Sequence, residues 1–224
     1  QQEQQLKTGK SAIIRLLVPE KTIIFKDLIR GEIRFDMGLV GDMVLAKDME
    51  TSLYNFTVVI DDYLMKITHV IRGEDHISNT PKQMVLEEAL SFPHTIQYAH
   101  LPLILGEDRT KLSKRHGDNS VTRFRKEGYL PEAVVNFLAL LGWNPGDERE
   151  IFSLKNLVKE FSMEKVQKSG AVFNMQRLDW INGSYIRQKS PKDLAELLTP
   201  YLPGVSIDTI EKVVILYKER LKKL

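Results

Sequence analysis

The chain has 224 residues, of which 42% are hydrophobic and 28% charged, and its formal net charge is only +2. It has no cysteine, which excludes disulfides and thiolate metal sites. No run of about 18 apolar residues occurs, which excludes a membrane-spanning helix. The polar first ten residues lack the apolar stretch of a secretory signal and include no initiator Met. We therefore expect a segment of a longer cytoplasmic protein.

Four short apolar runs in the first 50 residues predict β-strands. They cover residues 12–18, 22–25, 32–35 and 43–46, are rich in Ile and Val, and are separated by charged or glycine-containing turns. Strands this short do not sustain a sheet alone. We expect them to complete a β-rich domain.

Between residues 51 and 105 the pattern changes to that of an α/β unit. An amphipathic segment is followed by a predicted buried strand at 67–71, a helix at 79–89 and an apolar run at 100–105. This order predicts parallel strands, whose carboxyl ends bind ligands. Those ends lie around residues 72–76 and after Leu105.

The chain becomes helical beyond about residue 118. Apolar residues at helical spacing predict helices at 131–142, 153–161, 163–168, 175–183, 191–201 and 206–224. Trp143, Trp180 and the phenylalanines are interpreted as core residues rather than platforms on which bases stack.

The segment 106–121, GEDRTKLSKRHGDNSV, follows an apolar run and contains Gly106 and Gly117, so a mobile loop is predicted. Lys111 and Lys114, with Ser113 between them, could close over a polyphosphate and stabilise charge on a leaving group. Solvated surface is the alternative. Residues 109–126 contain one acid, Asp118, among seven basic residues: Arg109, Lys111, Lys114, Arg115, Arg123, Arg125 and Lys126.

The string Lys-Leu-Ser-Lys-Arg at 111–115 resembles the Lys-Met-Ser-Lys-Ser loop of class I aminoacyl-tRNA synthetases, in the form typical of glutamyl enzymes. Residues 51–83, with Tyr-Asn-Phe and Val-Ile-Arg-Gly-Glu-Asp-His, resemble the second half of the nucleotide-binding fold of glutamyl-tRNA synthetases. The resemblance continues through 128–143, 149–154 and 173–187, and so spans essentially the whole chain.

The resemblance implies an α/β fold followed by an all-α part. Residues 1–50 would be the end of an inserted acceptor-binding domain and the return to the catalytic fold. Residues 51–118 would be the second half of a Rossmann-like parallel sheet with its lysine loop. Residues 119–188 would form a helical region in contact with tRNA, and 189–224 the start of an anticodon-binding helical domain.

The resemblance also implies ATP-dependent glutamylation of tRNA through a glutamyl adenylate. Tyr54 and Arg72 would bind glutamate, the latter with a guanidinium suited to bidentate pairing with a carboxylate. Without the resemblance, Arg72 would be interpreted as an ion-pair partner of Glu74 or Asp75, and Tyr54 as a core aromatic.

Further roles follow from the same resemblance. Glu74, Asp75 and Lys114 would contact ATP, with Lys111, Ser113 and Lys114 as the catalytic group. Basic residues would meet tRNA phosphates, namely Arg115, Arg123, Arg125 and Lys126. Mg²⁺ would arrive with ATP, and neither zinc nor another protein-held metal is expected. We expect a monomer whose partners are L-glutamate, ATP and tRNA(Glu), with tRNA(Gln) left open.

Two motifs of the family's first half, His-Ile-Gly-His and Arg-x-Ser-Pro-Thr-Gly, do not occur in this sequence. Because affinity for ATP depends on a preformed set of converging groups, we expect the isolated chain to be inactive. Two alternatives remain at this point. One is a glutamyl transferase acting on a modified tRNA base, and the other is a non-catalytic tRNA- or protein-binding module derived from the synthetase.

Overall fold

The computed structural model describes residues 12–113, 115, 117 and 119–224. The chain divides into two compact units, Gln1–Leu101 and Pro102–Leu224. This boundary coincides with none of the four ranges predicted from the sequence, and those ranges stay a prediction.

The first unit contains the four predicted strands in its first half. They are β1 (Ile14–Leu16), β2 (Thr22–Asp27), β3 (Gly31–Asp36) and β4 (Met43–Ala46). Strands β1 and β4 pair antiparallel in a separate two-stranded sheet, and β2 and β3 form an antiparallel hairpin with Asp27 opposite Gly31. Gly31 has a φ of 82°, which explains why a glycine follows this tight turn.

The second half of this unit is the predicted strand–helix–strand motif. Helix α1 (Tyr54–Leu64) precedes β5 (His69–Gly73), and α2 (Thr80–Ala89) leads to β6 (Gln97–Leu101). Strands β5 and β6 pair in parallel, and β2 pairs in parallel with β6, giving the strand order β3-β2-β6-β5. The hairpin strands thus share a mixed sheet with the α/β motif.

Two expectations for these strands were wrong. Strand β5 begins two residues later than predicted and is not buried, because it lies at one edge of the sheet, where Ile71 is 54% exposed. The apolar run 100–105 is two strands rather than one. Pro102 lacks an N–H for the ladder, and β7 (Ile104–Leu105) pairs instead with β8 (Ala171–Val172) in the second unit.

The hairpin strand β2 alternates strictly between outward and inward side chains. Ile23, Phe25 and Asp27 are buried, and the residues between them are exposed. Ile23 and Phe25 pack with Val85 and Tyr98 in the core of the first unit. Asp27 is therefore a carboxylate in a position that the strand pattern reserves for apolar residues.

The second unit is mainly helical. Its helices are α3 (Val121–Lys126), α4 (Pro131–Leu140), α5 (Leu154–Glu160), α6 (Met175–Gln188), α7 (Pro191–Leu198) and α8 (Ile207–Tyr217). Pro131 and Pro191 lie in the first turns of their helices, where a missing N–H costs nothing. Helix α3 was not predicted.

Three predicted helices have different extents. The one at 163–168 is only a 3-10 turn, Met163–Lys165, because Val166 and its neighbours bond to the chain around Trp143. Helix α6 continues past Gly183 to Gln188. The last helix ends at Tyr217, and the Leu224 N–H instead donates to the Gly128 carbonyl at 3.0 Å.

A buried amide joins α4 to the loop after it. Asn136 Nδ2 donates to the Glu150 carbonyl at 2.9 Å, and Oδ1 accepts from Phe152 N–H at 2.7 Å and Tyr185 O–H at 2.8 Å. Trp143 is buried in this unit as predicted. Trp180 is 50% exposed, so its assignment to the core was wrong.

Candidate functional site

The guanidinium of Arg72 lies at the carboxyl end of β5 and is held by neutral groups. Its Nη2 donates to Thr80 Oγ1 and to Gln83 Oε1, both at 2.8 Å. Its Nε lies 3.3 Å from His100 Nε2, and the Tyr98 ring centroid is 6.0 Å from the guanidinium carbon. The strand β5 supplies Arg72, and the start of α2 and the strand β6 supply its polar contacts.

Behind Arg72 a buried carboxylate holds His100. Asp27 accepts hydrogen bonds from the backbone N–H groups of Ile29 and Arg30, each at 2.9 Å, and from the His100 N–H at 3.1 Å. The His100 Nδ1 lies 2.6 Å from Asp27 Oδ2, and both side chains have no solvent exposure. Burial alone would raise the pKa of Asp27. These hydrogen bonds, led by that of Arg30, hold it below its usual range instead.

Arg72 forms no direct ion pair with a described carboxylate, although it lies near Asp62, where burial raises the pKa and the Arg72 cation opposes that rise. Among the described residues no acid forms an ion pair with it, and Glu74 pairs with Arg30. The alternative interpretation, an ion pair of Arg72 with Glu74 or Asp75, is therefore wrong. The strand and the 3-10 turn Glu74–His76 direct these side chains apart although they are adjacent in sequence.

Tyr54 begins α1 and is 51% exposed, so it is not a core aromatic. Its ring meets His76 edge-on, with centroids 5.7 Å apart. Asp75 is exposed at the turn after β5, and its carboxylate lies over Gly73, where an added Cβ would come within 2.5 Å of Asp75 Oδ1. The structure thus brings Tyr54, Arg72, Glu74 and Asp75 into the first unit, three of them around the end of one strand.

The lysine loop belongs to the second unit. Lys111 forms an antiparallel bridge with Leu105, Leu112 N–H donates to the Ile104 carbonyl at 2.8 Å, and a tight turn with Arg109 at a φ of 60° lies between. Lys111 therefore lies in the second arm of a short hairpin on β7, and Ser113 comes directly after that arm. Lys114 lies outside the described residues.

The four basic residues predicted to contact tRNA differ in whether they have partners within the chain. Arg115 Nη2 donates to Thr110 Oγ1 at 2.5 Å within its own loop. Arg123 pairs with Glu127 one turn along, and this bond holds the pKa of Glu127 below its usual range. Arg125 and Lys126 are exposed, and no described acid forms an ion pair with either.

Within the described part of the chain, no group of three or more His, Asp or Glu residues is arranged to hold a metal ion. Over the same residues, no helix has the length and apolar character needed to cross a membrane.

Sequence motifs did not identify five residues that lie around Arg72, namely Asp27, Asn55, Thr80, Gln83 and His100. Gln83 connects Arg72 to Asn55, because its Nε2 donates to Asn55 Oδ1 at 3.1 Å. One signal was present in the sequence. Asp27 breaks the apolar alternation of β2, which indicates a buried polar partner.

Comparisons with known proteins show the family to which the chain belongs. A family profile described as tRNA synthetases class I (E and Q), catalytic domain, matches residues 1–180. The glutamate–tRNA ligase of Aquifex aeolicus is 53% identical over 209 residues, covering 92% of this chain and 44% of that protein. Glutamate–tRNA ligase 1 of Caldanaerobacter subterraneus is 46% identical over 231 residues, covering 99% and 48%.

A solved structure is similar as well. The crystal structure of a glutamate tRNA ligase from Elizabethkingia meningosepticum, in complex with its amino acid, matches with a TM-score of 0.87 and 34% identity. The match covers 99% of this chain and 48% of that one.

These findings define a class I synthetase catalytic-domain fold, built here from a mixed sheet and helices. The chain belongs to the family of class I tRNA synthetases for glutamate and glutamine. It spans about half the length of the relatives that it matches.

Proposed function

We propose that this chain is the part of a glutamate–tRNA ligase that binds the amino acid and stabilises the pyrophosphate leaving group. The complete enzyme would join glutamate to ATP, release pyrophosphate and pass the glutamyl group to tRNA(Glu). The observation that carries the proposal is the Arg72 guanidinium, whose positive charge is fixed by Thr80, Gln83 and His100 and left without an ionic partner among the described residues. A substrate carboxylate would supply the missing charge.

Neighbouring residues complete the proposed amino-acid and nucleotide sites. Tyr54 would contact glutamate with its exposed ring. Asp75 is the better candidate of the two acids to accept hydrogen bonds from a ribose, because it is exposed at the turn after β5 whereas Glu74 is half-buried. Mg²⁺ would come with ATP and be held mainly by phosphates and water.

The lysine loop would act on the leaving group. Its hairpin on β7 fixes Lys111 and Ser113 just before Lys114, and two ammonium groups there would stabilise the charge that builds on pyrophosphate. Arg125 and Lys126 are the strongest candidates for tRNA phosphate contacts, since Arg115 and Arg123 are engaged within the chain. In this proposal residues 119–188 contact tRNA, residues 189–224 begin an anticodon-binding domain, and the enzyme is cytoplasmic and monomeric.

The two alternatives receive no support. The matching glutamate–tRNA ligases cover up to 99% of the chain, which includes the helices after residue 189.

The test is Lys114→Ala in the complete enzyme. Pyrophosphate exchange at saturating tRNA should fall by roughly 100-fold, as expected when one preorganised charge is removed from a transition state. The KM for glutamate should stay within about twofold, because Lys114 would act only as charge develops. The control Lys126→Ala should change tRNA affinity and leave the exchange rate at saturating tRNA unaltered. An unchanged exchange rate in Lys114→Ala would refute the leaving-group role.

The 224-residue chain alone should not glutamylate tRNA. Charging by the purified chain would show that the site is more complete than proposed.

A further inference from the structure

Of two buried residues behind Arg72, Asp27 has no role in the proposal so far, and His100 enters it only as one contact of the guanidinium. Asp27 and His100 come from different strands, are fully buried, and touch through Oδ2 and Nδ1 at 2.6 Å. Burying a carboxylate and an imidazole costs free energy, and apolar residues at these inward positions would avoid that cost. The pair is therefore expected to do something that apolar packing cannot.

The hydrogen bonds fix where the proton of His100 lies. Asp27 Oδ2 can only accept, so His100 Nδ1 must carry the hydrogen. On the other side, Nε2 lies 3.3 Å from the Arg72 Nε–H, which can only donate. Nε2 is thus the unprotonated nitrogen, and the ring is neutral.

The contacts of Thr80 favour the same tautomer of His100. Its Oγ1 accepts from Arg72 Nη2 at 2.8 Å, so its own hydrogen is available to donate to His100 Nε2 at 3.1 Å. A proton on Nε2 would face the hydroxyl hydrogen and the guanidinium at once. Every bond in the network is satisfied only with the Nδ1-protonated neutral tautomer.

We propose that Asp27 and His100 are positioning residues for the glutamate-binding arginine: Asp27 sets the tautomer of His100, and His100 Nε2 orients the Arg72 guanidinium without neutralising it. The inference rests on the proposed function. The imidazole lies between the Asp27 carboxylate and the guanidinium, so Arg72 is held in place while its charge stays available to the substrate.

The surroundings of His100 agree with a neutral ring. Burial is the main cause that lowers the pKa of His100, the Arg72 and Arg30 cations add to it, and Asp27 opposes it. The aromatic rings of Phe25 and Tyr98 pack against the imidazole, with centroids at 6.5 Å and 6.3 Å. The titratable or charged groups that face it are Asp27, Arg30, Arg72 and Tyr98.

The experiment tests the contribution of each ring nitrogen of His100 separately, in the complete enzyme. His100→Asn keeps a donor for Asp27 but presents nothing at the position of Nε2. His100→Gln instead keeps a carbonyl oxygen there to accept from Arg72. We expect the KM for glutamate to rise roughly 10- to 100-fold in the Asn variant and clearly less in the Gln variant. The KM values for ATP and tRNA should stay within about twofold.

Asp27→Asn tests the tautomer directly. An amide that faces His100 Nδ1 with its NH2 group moves the ring proton to Nε2, where it opposes the Arg72 Nε–H. We expect a loss of glutamate affinity comparable with that of His100→Asn. The ¹⁵N chemical shifts of the imidazole should report the change of tautomer.

The matched control is Glu87→Gln, a buried carboxylate of the same unit that accepts from Tyr98 O–H at 3.3 Å and does not touch Arg72. It should leave the KM for glutamate unchanged. Equal effects of the Asn and Gln variants at position 100, or equal losses for all three substrates, would reduce the pair to structural support and overturn the inference.

Failures at different levels are distinguishable. A wild-type enzyme without glutamate-dependent pyrophosphate exchange overturns the proposed function and this inference together. An active enzyme in which Arg72→Ala leaves the KM for glutamate unchanged removes Arg72 from the site. Only an active enzyme that is sensitive to Arg72→Ala and insensitive to the His100 variants overturns the positioning role alone.

Discussion

The requirement for neutral neighbours around Arg72 can be tested by adding one charge. Gln83 is buried, and its Oε1 accepts from Arg72 Nη2 at 2.8 Å. Gln83→Glu keeps the shape of the side chain and places a carboxylate at the same point. Because the guanidinium favours the ionised form of an adjacent acid, the new glutamate should be charged.

The expected magnitude follows from the distance. Two unit charges about 4 Å apart attract by about 4 kcal/mol at an effective dielectric constant of 20, and desolvation of the buried carboxylate offsets part of this. If about 2 kcal/mol remains, the new ion pair competes with the substrate and raises the KM for glutamate roughly 30-fold. The protein should not unfold, because the introduced charge is paired.

The assay is glutamate-dependent pyrophosphate exchange by the complete enzyme, with thermal unfolding measured in parallel. Lys82→Gln is the control, since it makes the same change in net charge at the neighbouring residue of α2 and does not touch Arg72. A folded Gln83→Glu enzyme with an unaltered KM for glutamate would refute the argument that the free charge of Arg72 binds the substrate.

Three further predictions concern stability and the nucleotide. Asn136→Leu removes three buried hydrogen bonds and should lower the free energy of unfolding in urea by about 3 kcal/mol, whereas Leu at the exposed Asn156 should have little effect. Gly73→Ala should displace the Asp75 carboxylate and raise the KM for ATP several-fold more than that for glutamate; equal changes would contradict the assignment of Asp75. Burial lowers the pKa of His100 in the folded chain. As the pH falls below about 6.5, His100 is therefore protonated in the unfolded chain while it is still neutral in the folded one. The stability of wild type relative to His100→Gln should therefore fall on acidification and stay constant above that range, and a difference independent of pH would argue against a neutral His100.

Local patterns predicted much of the fold. The strand–helix–strand order of β5, α2 and β6 was recognisable because each element carries its own periodicity. The end of β6 was not, since the apolar run continues through Pro102 and only the missing N–H divides it. The helix predicted at 163–168 failed for a different reason, because its backbone bonds to the chain around Trp143 rather than to itself.

The candidate site was likewise predicted only where a local pattern defined it. Arg72 was identified from the motif that contains it. That it forms no ion pair was not predicted, because proximity in sequence favoured Glu74 and Asp75 as its partners. The groups that hold it are 8, 11 and 28 residues away, and Asp27 is 73 residues from His100. No single-sequence pattern encodes contacts over such separations.

The position of β5 has a consequence for assembly of the enzyme. Within the described residues only β6 pairs with β5, so one row of its backbone N–H and C=O groups points outward beside the half-exposed Ile71. Such an edge is a template for another strand, and in an isolated chain it favours self-association. Any strand that docks there in parallel also brings its own carboxyl end next to Arg72. Completion of the sheet and completion of the glutamate site are then a single event.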